Sequence, residues 1–118
     1  LLAGLPNLDF GALQAGARYE GGYSAEHPTV KLFWEVLQGL PLESKRAFLQ
    51  FTTGCSRAPL GGLGSLRLLV QRAGGDSEAL PTAHTCFNAL LLPEYGSRAK
   101  LAAKLQLAIE NAQGFGLR

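Results

Sequence analysis

The 118-residue chain has no methionine and only two cysteines, and neither cysteine belongs to a Cys-x-x-Cys pair or has histidines at zinc-ligand spacing. That excludes a disulfide framework and a sequence-evident metal site, so we expect no metal and no cofactor. Free thiols fit a reducing compartment, and we expect the cytoplasm, with the nucleus open as well. Long apolar stretches are missing too: the longest unbroken one, Ala89 to Leu92, is far short of the roughly 20 residues of a membrane helix. The opening LLAGLPNLDF lacks the positive start and small-residue cleavage site of a signal peptide. Without a first Met, the chain reads as a piece of something longer. Charge of one sign is also scarce, because 11 Lys and Arg stand against 9 Asp and Glu, scattered along the chain. No basic stripe is available for a phosphate backbone or an anionic lipid surface. We therefore expect neither nucleic acid nor membrane as a partner.

What is present is a folding composition, 47% hydrophobic and 17% charged, in a chain long enough for one core and too short for two. Residues 1–26 are Gly-rich and interrupted by Pro6 and Gly21-Gly22, which reads as a lead-in holding at most one short helical turn, capped by Asn7 or Asp9. From His27 the pattern changes. Pro28 suits a first helical turn, and Val30, Phe33, Trp34 and Leu37 share one helical face, predicting a helix from Pro28 to Gln38 that stops near Gly39. Pro41 opens a second helix, with Phe48, Leu49 and Thr52 turned inward and Gly54 as its stop.

Pro59, Gly61, Gly62 and Gly64 make residues 55–65 a loop. A strand is predicted over 66–72 and a second over Asn88 to Leu92, the latter buried on both faces and ended by Pro93. From Ser97, as N-cap, Leu101, Leu105, Ala108, Ile109 and Ala112 mark an amphipathic helix closed by Gly114. The expected class is α+β: a single small domain in which a few-stranded sheet packs with helices, residues 27–118 forming its compact core.

Candidate chemistry centres on LPTAHTCFN, residues 80–88. A thiol attacks only as thiolate, about a few per cent of an ordinary cysteine near neutrality, so neighbours and exposure decide its reactivity. Around Cys86 stand Thr82, Thr85 and His84, groups able to position a thioester carbonyl or an attacking amine. On composition alone, a buried and inert thiol is the commoner case. A protease-like Cys-His pair would need a second imidazole presented from elsewhere in the fold, and the only other one, His27, reads as a cap or surface residue. Gly61-Gly62-Leu63-Gly64-Ser65 lacks the Lys-Ser/Thr of a phosphate loop. Arg57 beside it is a surface charge or a contact for a partner's carbonyl. Glu43, Asp76, Glu78 and Glu94 lie near element ends, where acidic residues are usual. Phe115, between Gly114 and Gly116, is the odd apolar residue of the tail, where a frayed end is the ordinary reading.

Taken together, YEGGY (19–23), the Phe33-Trp34 helix, LQFTTG (49–54), SRAPLGGLG (56–64), LPTAHTCFN, LLLPEY (90–95) and IENAQGFGL (109–117) resemble the C-terminal lobe of a HECT-type ubiquitin ligase, in the family's order and along practically the whole chain. The resemblance implies that Cys86 accepts ubiquitin from a charged ubiquitin-conjugating enzyme as a thioester and yields it to a substrate lysine. His84 and Thr85 match the positions beside that cysteine and would place the thioester or the incoming lysine. Phe115 matches a phenylalanine implicated in docking the lobe for lysine transfer, and residues 1–6 would adjoin the hinge to an N-terminal lobe that binds the conjugating enzyme. Cys55 reads as an incidental thiol. The implied partners are ubiquitin, the conjugating enzyme and substrate lysines, with the chain monomeric. Two other readings stay open here: a non-catalytic ubiquitin-binding or docking module, and a cysteine hydrolase.

Overall fold

The structure is a computed structural model that describes residues 9–55 and 61–116, the side chains beyond Asn111 excepted. Helix α1, Phe10–Ala15, begins where the Asp9 carboxylate accepts a hydrogen bond from the Ala12 amide at 3.1 Å, and it buries Phe10 and Leu13. Its end meets the 3₁₀ turn Leu63–Leu66 so closely that a Cβ on Gly16 would lie 2.3 Å from the Gly64 carbonyl oxygen. Only glycine fits there.

Helix α2 runs Pro28–Gln38, as its sequence predicts: Pro28 fills the first turn, and the His27 Nδ1 caps it by accepting from the Thr29 amide at 3.1 Å. Val30, Phe33, Trp34 and Leu37 are all buried. Helix α3, Leu42–Thr53, ends on Gly54, whose φ of +81° is the left-handed cap conformation that favours glycine. Phe48, Leu49 and Thr52 face the core, and the Thr52 hydroxyl donates to the Phe48 carbonyl rather than remaining unpaired.

Four strands, β1 (Arg18–Glu20), β2 (Leu69–Arg72), β3 (Thr82–His84) and β4 (Ala89–Leu92), form one sheet in the order β1-β2-β4-β3. The first three in that order are parallel, and β3 pairs antiparallel with β4 as a hairpin. This is the expected α+β class. Helix α4, Arg98–Gly116, starts where Ser97 Oγ accepts from the Lys100 amide at 3.1 Å, packs on α2 and α3, and buries Leu101, Leu105, Ala108 and Ile109. An Arg98–Glu35 ion pair ties its first turn to α2.

The structure corrects four expectations. From Asp9 onward the presumed lead-in belongs to the core, since Phe10, Leu13 and Tyr23 pack in the same cluster as Phe33 and Phe48, and β1 pairs with β2. The expected strand over 66–72 begins only at Leu69, because Arg67 takes a left-handed turn at φ 53°. Asn88 lies outside its strand for the same reason, at φ 49°. Finally, α4 continues through Gly114 to Gly116; a single glycine weakens a helix by only about 1 kcal/mol and does not by itself end one.

The connection from β2 to β3 is fastened to α4 by charge. Lys100 Nζ lies 3.0 Å from Asp76 Oδ1 and 2.9 Å from Glu78 Oε2, and Lys104 Nζ lies 3.0 Å from Glu78 Oε1. Hydrogen bonds from the two lysines hold the Glu78 carboxyl at about 2, down from the usual 4.5, and Lys100 likewise lowers Asp76. A depressed folded-state pKa contributes stability that is complete above the unfolded value and is lost as pH falls through the folded one. Between pH 4.5 and 2, wild type is therefore expected to lose more of its melting temperature than Glu78→Gln, a difference that thermal melts across that range would read directly.

Candidate functional site

The β3–β4 hairpin carries the sequence motif at its tip. Buried Pro81 leads into β3, whose Thr82, Ala83 and His84 pair with Leu91, Leu90 and Ala89. A 3₁₀ turn over Thr85–Phe87 then reverses the chain, closed by a bond from the Asn88 amide to the Thr85 carbonyl at 3.3 Å. Asn88 itself adopts left-handed backbone angles, which asparagine tolerates better than most side chains. His84, Thr85, Cys86 and Phe87 are all exposed, whereas Ala89 and Leu90, immediately beyond Asn88, are buried. Phe87 is 69% exposed, unusual for so large an apolar residue. The motif thus presents a thiol on an exposed turn, in place of the buried thiol that composition alone makes the commoner case.

Two elements brace that turn. The end of α3 lies beside it, close enough that a Cβ on Gly54 would sit 3.8 Å from Thr85 Cβ. On the other side, Asn88 Nδ2 donates to the Leu66 carbonyl at 3.1 Å, and the Asn88 carbonyl accepts from the Leu69 amide at 2.9 Å. Asn88 is the residue that sequence reasoning passed over. A polar, turn-favouring residue directly after Cys-Phe was the available signal; its partner, 22 positions away, was not visible.

Cys55, the second free thiol, is also exposed, but it follows the α3 cap and has its amide bonded to Thr53 Oγ1 at 3.2 Å. Among the described residues, nothing hydrogen-bonds the His84 ring or the Cys86 sulfur. His27 is engaged elsewhere: it caps α2 and stands 3.7 Å from Glu94, beyond the far end of β4. Since a strand advances ~3.3 Å per residue, the length of β4 separates His27 from Cys86. The described residues therefore bring no second imidazole to the thiol, which weighs against the hydrolase reading. They contain no three-residue cluster of metal-ligating side chains and no helix long and apolar enough to cross a membrane. Arg57 and residues 1–6 lie outside the described residues. Phe115 falls within the α4 backbone, with its side chain outside the description.

Comparison with known proteins gives this geometry a family. The HECT-domain (ubiquitin-transferase) model matches residues 1–118. The chain is 48% identical over 117 residues to the human protein "Probable E3 ubiquitin-protein ligase HERC4", covering 99% of this chain and 11% of that one. It is 44% identical over 117 residues to human "Probable E3 ubiquitin-protein ligase HECTD2", at 99% and 15%, and 45% identical over 124 residues to "E3 ubiquitin-protein ligase UPL1" of Arabidopsis thaliana, at 98% and 3%. The chain thus spans only a small part of each of these relatives, and it belongs to the HECT-domain family of ubiquitin transferases.

Proposed function

We propose that the chain is the C-terminal catalytic lobe of a HECT ubiquitin ligase, with Cys86 as the residue that carries ubiquitin. The observation behind this reading is an exposed thiol on a braced hairpin tip, in a chain of a ubiquitin-transferase family. The Cys86 thiolate attacks the carbonyl carbon of the incoming thioester, a new C–S bond forms, and the donor's thiolate leaves and takes up a proton. A lysine amine then attacks the Cys86 thioester, giving an amide and returning the thiol. Because the acyl group arrives activated, orientation is most of the task. That suits a site with one thiol, one imidazole and two threonine hydroxyls. His84 and Thr85, exposed beside the sulfur, orient the thioester or the amine. The conjugating enzyme docks on a lobe outside this chain, and the reaction belongs in the cytoplasm or nucleus, where both thiols stay reduced.

The experiment supplies the chain with ubiquitin as a small-molecule thioester and reads intact mass with and without reducing thiol, followed by digestion to locate the modified peptide. A thiol-labile adduct on the peptide containing Cys86 is expected. Binding of ubiquitin with no adduct would instead make the chain a docking module, and continuous release of free ubiquitin would make it a hydrolase.

Phe115 belongs to the second step. In a catalytic domain containing this chain, Phe115→Ala is expected to leave thioester formation within about twofold and to lower lysine transfer by about tenfold or more. Single-turnover assays of the two steps separate these effects, and equal loss in both would remove Phe115 from lysine transfer.

A further inference from the structure

We propose that Asn88 is a positioning residue for the acceptor thiol, a role that rests on the reading of Cys86 as that acceptor. Three of its groups fasten the turn: its amide closes the 3₁₀ turn on the Thr85 carbonyl at 3.3 Å, its carbonyl accepts from the Leu69 amide at 2.9 Å, and its side-chain Nδ2 donates to the Leu66 carbonyl at 3.1 Å. The corner it grips is itself held by β1, through the Arg18 amide on the Leu68 carbonyl at 2.7 Å and Arg18 Nε on the Arg67 carbonyl at 3.0 Å. The corner that leads into β2 is thereby tied to a turn whose own side chains, Thr85, Cys86 and Phe87, are exposed. Exposed turns lack the packing that ordinarily fixes a side chain's direction. The Asn88 amide replaces that packing with a directional bond. Its left-handed backbone angles, φ 49° and ψ 50°, make the reversal that puts Cys86 outside and Ala89 inside.

Two substitutions separate the side-chain bond from the backbone shape. Asn88→Gly keeps the left-handed conformation at no steric cost and removes the donor. Asn88→Asp keeps the side-chain size and replaces the donor with a carboxylate that only accepts and faces the Leu66 carbonyl. Both are made in a Cys55→Ser background and compared well below their melting temperatures in two reactions of Cys86: transfer from the ubiquitin small-molecule thioester, and alkylation by iodoacetamide. Transfer depends on approach direction, so it is expected to fall about tenfold in both variants, whereas alkylation by a small reagent changes less than about twofold. The ratio of the two rates is the readout that a change in the exposure or intrinsic reactivity of the thiol alone would leave unchanged.

An unchanged ratio in both variants, or transfer and alkylation shifting together, would overturn the role of Asn88 while leaving Cys86 as acceptor. A wild-type chain that forms no adduct would overturn the acceptor reading itself, and the role of Asn88 with it, before any variant is needed.

Discussion

Cys86→Ala is expected to abolish the thiol-labile ubiquitin adduct, while Cys55→Ser retains the wild-type rate within about twofold. The contrast is informative because both thiols are exposed, so access alone predicts that both should react. Iodoacetamide is expected to label the two of them. A folded protein bearing a thioester is a more demanding reagent than iodoacetamide, since its carbonyl reaches the sulfur only along limited approaches. In the proposed reading Cys86 would meet that demand from a turn braced by Leu66, Leu69 and the end of α3. Cys55 stands at the end of a helix cap, with its amide on Thr53 Oγ1. Cys86→Ser sharpens the test. A serine hydroxyl is a far weaker nucleophile than a thiol near neutrality, so any adduct should form much more slowly and should survive reducing thiol as an ester. A thiol-labile adduct in Cys86→Ala, or one mapped to Cys55, would move the acceptor elsewhere.

How far the sequence discloses this arrangement depends on whether a feature is local. The bounds of α2 and the end of α3 are written in neighbouring residues: Pro28 after a capping His27, Gly39 after Gln38, and Gly54 where a left-handed cap is needed. Cys86, His84 and Thr85 are exposed together because they follow one another at the hairpin tip, His84 ending β3 and the other two lying in the turn. The misses are features whose cause lies elsewhere in the chain. β1 and β3 are three residues each, with mostly exposed side chains and an alternation too short to mark a strand, and they are strands only because Leu69–Gln71 and Ala89–Leu91 pair with them. The late start of β2 follows from the left-handed turn at Arg67. Asn88 reads as the first residue of a strand until Leu66, far away in sequence, appears within reach of its amide.

The second large effect concerns the core rather than the chemistry, and two phenylalanines decide it. Phe48 is fully buried where α1, α2 and α3 meet, its ring 6.1 Å from that of Phe10 and 6.0 Å from that of Phe33. Phe48→Ala removes those ring contacts and leaves a cavity that helices on three sides cannot close, at a cost of about 3–5 kcal/mol. Domains of this size are stable by only about 5–15 kcal/mol, so a large fraction of the total is lost. Melting should fall by roughly 10–25 °C, whereas Phe48→Leu, which keeps most of the volume, should cost under about 1.5 kcal/mol. Phe87 is the same residue type in the opposite setting, at 69% exposed, and Phe87→Ala should change stability by no more than about 0.5 kcal/mol. Urea or thermal unfolding of the three variants distinguishes the cases. If Phe87→Ala destabilised the chain as much as Phe48→Ala, the turn bearing Cys86 would have to be part of the core, and a ubiquitin-sized reagent could not reach its thiol without local unfolding. If only Phe48 carries the cost, the core holds without Phe87, and a ubiquitin-sized reagent can reach the turn that bears Cys86 without local unfolding, as the proposed acceptor role requires.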